Sequence, residues 1–199
     1  MTRIYIDEAG RWPLAGPIHV GLILPIKKFI KKDFQDSKQL KEQQREELFE
    51  KIKTLESDGK LLYSIGISTH TEIDKRGMTK AINITIKRGL KKLWIKNKKR
   101  ELIIDGNHDF HLRKDLWIPV TTIIDGDQKV KEISMASIVA KVSRDHYMLK
   151  MHRKYPKYGF DKHKWYGTKL HYAMIEEWWV SEIHRRLFLR KFEQNKKGK

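Results

Sequence analysis

The chain has 199 residues, enough for one sizeable hydrophobic core and too few for two comfortable domains. It carries 43 Lys and Arg against 25 Asp and Glu, a net charge of +18 spread along its length, and such a field concentrates polyanions, with nucleic acid the first expectation. It has no cysteine, which excludes disulfides and thiolate metal sites and suits a reducing, cytoplasmic setting, and no apolar run approaches the roughly 20 residues of a membrane span.

The first element is a short strand, Arg3-Ile4-Tyr5-Ile6, which enters its pattern directly, unlike a signal peptide. It delivers two adjacent carboxylates, Asp7 and Glu8, to a turn of Ala9, Gly10, Arg11, Trp12 and Pro13. Paired acids at the end of a buried strand cost free energy unless a metal ion, arginine or lysine faces them. Ile18 to Pro25 reads as a second strand, antiparallel to the first and apolar enough to be central. Asp36-Ser37-Lys38 precedes a helix, with Ser or Asp as its expected cap and Leu48, Phe49, Ile52 and Leu55 as its inner stripe. Leu61 to Ser68 is a third strand. One long helix is expected from Thr71, with Met78, Ile82, Ile86, Leu90 and Leu93 inside and Lys87, Arg88, Lys91 and Lys92 outside.

Two more apolar strands follow. Glu101 to Ile104 ends at Asp105-Gly106-Asn107, and Ile118 to Ile124 ends at Asp125-Gly126-Asp127. Lys129 to about His152 reads as a helix whose Ser134, Ala136, Ser137 and Ala140 permit close packing on a sheet. A loop spans 153–168, and two short helices with a frayed basic tail at 191–199 close the chain. The pattern is that of one α/β domain over residues 1–199, a mixed sheet with helices on both faces.

Three strands therefore end in acids: Asp7-Glu8, Asp105, and Asp125 or Asp127. In open α/β sheets the functional crevice lies at strand ends, where acids distant in sequence can converge. Clustered carboxylates repel one another, and hard divalent cations with oxygen ligands relieve that repulsion. Asp-Gly pairs are also ordinary turn formers, so one such acid alone would carry little. The joint pattern inside a basic chain carries more: basic surfaces hold a nucleic-acid backbone while acids hold metals against one phosphate.

These residues resemble the bacterial ribonuclease HII family. The resemblance runs through Ile6-Asp7-Glu8-Ala9-Gly10-Arg11 with Pro13-Leu14-Ala15-Gly16-Pro17, then Asp36-Ser37-Lys38-Gln39-Leu40, Asp105-Gly106-Asn107 and Gly126-Asp127. It continues through Ile133 to Asp145, His163-Lys164, Tyr166-Gly167-Thr168 and His184-Arg185-Arg186, covering nearly the whole chain in order. It implies a ribonuclease H-like sheet with a C-terminal helical extension. It implies a two-metal site for Mg²⁺ or Mn²⁺ at Asp7, Glu8, Asp105 and Asp127, with Asp145 at a helix surface or supporting that site. It further implies cleavage of the RNA strand of RNA–DNA hybrids, and of single ribonucleotides in duplex DNA, on the 5′ side of the ribonucleotide. The products carry a 3′-hydroxyl and a 5′-phosphate, as ribonucleotide excision repair and DNA replication require. Gly10, Arg11, Trp12, Ser37, Lys38 and Tyr166 fall at the family's substrate-binding positions, and the chain is expected to act as a monomer. His163, His171 and His184 fit no compact metal site by spacing, and structural or phosphate-side roles are expected of them.

The chain departs from the family at Trp12, Trp165 and Trp179, which stand at family glycines. Tryptophan removes the freedom of positive φ and adds a bulky ring. Two expectations follow. Genuine tryptophans would impair recognition of the RNA–DNA junction and favour a hybrid-binding protein with weakened selectivity. Alternatively, UGA codons read as glycine in the source stand here as tryptophan.

Overall fold

The computed structural model describes residues 1–34, 40–93 and 99–197. Three strands come first in space as in sequence: β1 (Thr2–Ala9), β2 (Ile18–Pro25) and β3 (Leu61–Ser68) form an antiparallel meander. The strands β4 (Arg100–Asp105) and β5 (Val120–Ile123) add parallel to β1, giving the order β3-β2-β1-β4-β5. β2 lies between two neighbours and beneath helices on both faces, which is why Ile18 to Leu24 are all buried.

The helix α1 (Glu42–Ser57) starts later than expected, and Lys41 takes the cap position that the sequence suggested for Ser or Asp. Asp36, Ser37 and Lys38 lie outside the described residues. The Lys41 N–H is instead satisfied by Gln44 Oε1 at 2.8 Å, half of a capping box. The long helix expected from Thr71 is two helices, α2 (His70–Arg76) and α3 (Met78–Lys92). Gly77, at φ 76°, breaks them apart. A short helix α4 (Leu112–Leu116) leads into β5. After β5 a one-turn helix α5 (Gly126–Lys129), which the sequence pattern did not suggest, precedes α6 (Lys131–Lys154), the helix expected from Lys129, with extended Val130 between them.

Two cores sandwich the sheet. One face packs Ile4, Ile6, Leu22, Leu102 and Ile104 beneath Ile82, Ile86 and Leu90 of α3. The other packs Ile23 and Leu61 against Phe49 and Ile52 of α1 and Met135, Ile138 and Val139 of α6. Close approach of α6 depends on Gly21 of β2, where a Cβ would stand 2.1 Å from the Ala136 carbonyl oxygen. The small inner residues of α6 thus meet a bare stretch of strand.

The C-terminal region builds two further clusters. A 3₁₀ turn (Pro156–Tyr158), α7 (Phe160–His163) and α8 (Lys169–Trp178) enclose Ala15, Met148, Phe160, Trp165 and Ile183. The last helix, α9 (Arg186–Lys197), packs Leu189 against Leu14 and Ile175. The segment expected as a frayed tail is therefore helical to Lys197. The N-terminus of α9 is held by Asp74 of α2, which accepts from the N–H groups of Arg186 and Leu187 at 2.9 and 2.8 Å.

Candidate active site

Parallel pairing places the acids. Ile6 of β1 lies opposite Ile104 of β4, so Asp7 and Asp105 follow side by side at the same edge of the sheet. Successive strand residues point to opposite faces, which turns Asp7 toward α6 and Glu8 toward the other side of the rim. Asp7, Glu8 and Asp105 nevertheless line one cavity of about 450 Å³, together with Gly10, Arg11, Trp12 and Tyr166. Asp127 is not at a strand end but in the first turn of α5. It is buried behind this wall, and the N–H of the preceding Gly126 donates to Asp105 Oδ1 at 2.7 Å.

Charge is concentrated at the floor. Burial, then the charges of Glu8 and Asp105, hold the Asp7 carboxyl well above the usual carboxylate range. The Ser137 hydroxyl and the Glu8 N–H, the latter 2.7 Å from Asp7 Oδ1, pull it only partly back. The rim is cationic. Arg11 reaches Glu8 at 3.4 Å, and Arg45, Lys141 and Arg144 complete the wall. Ser137, Lys141 and Arg144 lie at i, i+4 and i+7 of α6, so one helix face supplies all three.

Among the described residues no three Asp, Glu or His side chains stand in a ready-made metal-holding group. The donor chemistry still fits a hard divalent cation. It is all oxygen, and the charges of Glu8 and Asp105 raise the proton affinity of Asp7, which a cation at the same place would reverse.

The turn that carries Gly10 and Arg11 is fixed from behind by two buried arginines. Arg185 donates to the carbonyl oxygens of Gly16, Arg11, Gly10 and Pro17 at 2.9, 3.1, 2.7 and 3.1 Å. Arg144 donates to those of Pro17 and Ala15 at 3.1 and 3.2 Å. Gly10, at φ 96°, allows this approach, since a Cβ there would meet Arg144 Nε at 2.1 Å. Burial pulls Arg185 down to about 9 and Arg144 to about 10. Neither arginine was singled out by sequence alone, although both sit inside motifs that carry the family resemblance.

Tyr166 is fixed by a relay of histidines. Ser181 N–H donates to His184 Nδ1 at 2.9 Å, so His184 carries its proton on Nε2 and donates to His171 Nε2 at 3.0 Å. His171 must then donate from Nδ1 to the Tyr166 carbonyl oxygen, 2.9 Å away. His163 stacks on His171 with ring centroids 4.1 Å apart. The three histidines form one cluster, in the structural role expected of them. Its role is to hold the loop that carries Tyr166. Asp145 is also not a helix-surface residue. It is buried and pairs with Lys141 Nζ at 2.7 Å. Ser37 and Lys38 lie outside the described residues, so the structure does not place them.

A mixed sheet with an acidic cavity at its parallel strand ends and a cationic rim defines an α/β enzyme acting on phosphate esters. The family model for Ribonuclease HII matches residues 4–191. Ribonuclease HII of Nitrosospira multiformis is 39% identical over 183 residues, 92% of this chain and 87% of its own length. The solved ribonuclease H2 of Pyrococcus horikoshii superposes with a TM-score of 0.77 at 28% identity, covering 100% of both chains. Bst-RNase HIII, solved in complex with Mn²⁺, shares the fold at 16% identity, with a TM-score of 0.67 over 94% of this chain and 64% of its own. The chain belongs to the ribonuclease HII family. It is a ribonuclease H, an enzyme acting on nucleic acid, and the comparisons give no support to a binding-only reading. No helix among the described residues is long and apolar enough to cross a membrane.

Proposed function

We propose that the chain cleaves the RNA strand of RNA–DNA hybrids, and duplex DNA on the 5′ side of a single embedded ribonucleotide, leaving a 3′-hydroxyl and a 5′-phosphate. The observation that carries this reading is the cavity itself: Asp7, Glu8 and Asp105 at its floor, with Arg11, Arg45 and Lys141 at its rim. Asp7, Glu8, Asp105 and Asp127 would hold two divalent cations, Mg²⁺ or Mn²⁺. Bound there, such ions supply charge stabilisation to the attacking and leaving oxygens. The Mn²⁺ bound by Bst-RNase HIII supports this choice of metal.

The chain's own residues do the rest. The rim cations hold the phosphates that flank the scissile one. The turn at Gly10 and Arg11, with its carbonyls drawn back onto Arg185, offers its outer backbone to the ribose 2′-hydroxyl, which distinguishes RNA from DNA. Tyr166, half exposed on the same wall, stacks on the sugar-base step at the junction. Ser37 and Lys38 would add phosphate contacts. The protein would act as a monomer in the cytoplasm, a setting that its lack of cysteine suits.

The test is cleavage of a duplex with one ribonucleotide, in Mg²⁺ and in Mn²⁺, with an Asp7→Asn control. A cut on the 5′ side with a 3′-hydroxyl end, absent in the control, is expected. Equal cleavage of an all-DNA duplex would overturn the specificity, and an active control would overturn the site.

A further inference from the structure

The backbone disagrees with the sequence at several tryptophans. Seven non-glycine residues among those described adopt positive φ: Phe110, His111, Trp117, Asp125, Lys164, Trp165 and Trp179. Three of the seven are tryptophan, although the whole chain has only six tryptophans. Asp and His tolerate this region through local hydrogen bonding, whereas a bulky side chain there is a genuine outlier.

Each of the three has glycine geometry for its own reason. Trp179 follows α8 at φ 64°, ψ −174°, a region essentially reserved for glycine. Trp117 ends α4 at φ 54°, ψ 40°, its N–H returning to the Arg113 carbonyl oxygen at 3.1 Å, as helix-terminating glycines do. Trp165 sits at φ 69° and cannot relax. Its N–H donates to His163 Nδ1 at 3.1 Å and its carbonyl oxygen accepts from Leu14 N–H at 2.8 Å. Its ring is buried with the indole N–H lacking a hydrogen-bond partner. Trp117 and Trp179 instead expose their rings, at 89% and 74%. No shared packing role explains the three. A shared backbone requirement does.

Trp178 supplies the internal contrast. It is the last residue of α8, has ordinary φ, and lies under Lys157 Nζ at 4.0 Å from the ring centroid. It behaves as a tryptophan should.

We infer that positions 117, 165 and 179 are glycine in the protein made by the source cell, and position 12 with them, because UGA codons written here as tryptophan are decoded there as glycine. UGA differs from the glycine codon GGA only at its first base, so one anticodon change suffices. Position 12 joins the group through its place: Trp12 lies 70% exposed on the rim of the acidic cavity, beside the Gly10–Arg11 backbone. Glycine there and at 165 makes these positions determinants of substrate access. The bare backbone at 12 opens the cavity mouth, and glycine at 165 lets the loop bearing Tyr166 reach its hydrogen-bonded path without strain.

The experiment is peptide mass spectrometry on the protein isolated from its source cells, with the codons read in parallel. Glycine at 12, 117, 165 and 179, with tryptophan at 178, is expected. Tryptophan at any of the first four, or UGG codons there, would overturn the inference. A second measurement works on recombinant protein. A Trp117→Gly, Trp179→Gly variant, which removes two exposed rings at positive φ, should melt at a higher temperature than the chain with both tryptophans, and a lower melting temperature counts against the proposal. Neither readout depends on the cleavage chemistry.

Discussion

Asp7 and Arg185 are both buried charges, and the fold treats them in opposite ways. Arg185 donates to four backbone carbonyls and lies among partners that need its protons. Asp7 lies against two further acids that oppose its ionisation. The first arrangement is complete in the protein alone and serves as scaffold. The second is under electrostatic stress until something positive arrives, which is the mark of a working site rather than a stabilising one. The turn 10–17 lies between them, so a satisfied cluster holds in place the rim of a stressed one.

That contrast can be broken from either side. The largest expected effect is on activity: Asp7→Asn, or Asp105→Asn, should lower the cleavage rate by at least about 10²–10³-fold, the scale of losing one electrostatic group in a reaction centre. The same Asp7→Asn change should raise the melting temperature at neutral pH, because it removes a buried charge that its neighbours repel. A fall in melting temperature would show that Asp7 is scaffold after all. Arg185→Met should do the reverse, taking the guanidinium donor from the carbonyls of Gly10, Arg11 and Gly16 while Arg144 still serves Pro17. Urea unfolding should report a loss of about 3 kcal/mol or more, and the KM for a hybrid substrate should rise more than kcat falls.

Acid should probe the histidine relay. Burial first, then neighbouring positive charge, lowers His171 to about 4 and His184 to about 3, and burial lowers His19 to about 3. The unfolded chain takes up these protons near pH 6.5 and the folded chain does not. Their stabilisation is thus complete above about 6.5 and is lost as pH falls from there toward 3–4, at about 1.4 kcal/mol per pH unit for each group. Unfolding midpoints measured from pH 7 to 5 should fall, and less steeply in a His184→Asn variant. The smallest effect belongs to the rim: Arg45→Met should raise KM by about threefold at low salt with kcat nearly unchanged, and salt should erase the difference.

How much of this could be read beforehand follows from which interactions are local. Ile18 to Pro25 and Leu61 to Ser68 were legible to the residue, because apolar runs flanked by turn formers leave little choice. Asp7, Glu8 and Asp105 were legible as acids at strand ends, whereas Asp127, which the resemblance favoured over Asp125, falls in the first turn of α5. Gly77 was not read as a break, since one glycine inside a periodic pattern is often tolerated. The one-turn α5 was not read either, because Asp125-Gly126-Asp127 carries an ordinary turn signal. Arg185 carried no signal in its own neighbourhood: its partner Gly10 is 175 residues away. Nor could spacing show His171 and His184 in contact, since a reversal after α8 brings them together.

The position of β1 has a consequence in time. On one side it pairs with β2, which follows at once, and on the other with β4, whose first residue is Arg100. During synthesis the meander of β1, β2 and β3 can close once about 70 residues are free, while the neighbour that sets Asp105 beside Asp7 has not been made. Ser137 and Arg185, which steady Asp7 and the adjoining turn, come later still. The site is therefore assembled from both ends of the chain and is completed last. A truncated chain that lacks its C-terminal segments would keep the sheet's acids but lose the groups that hold the adjoining turn in place.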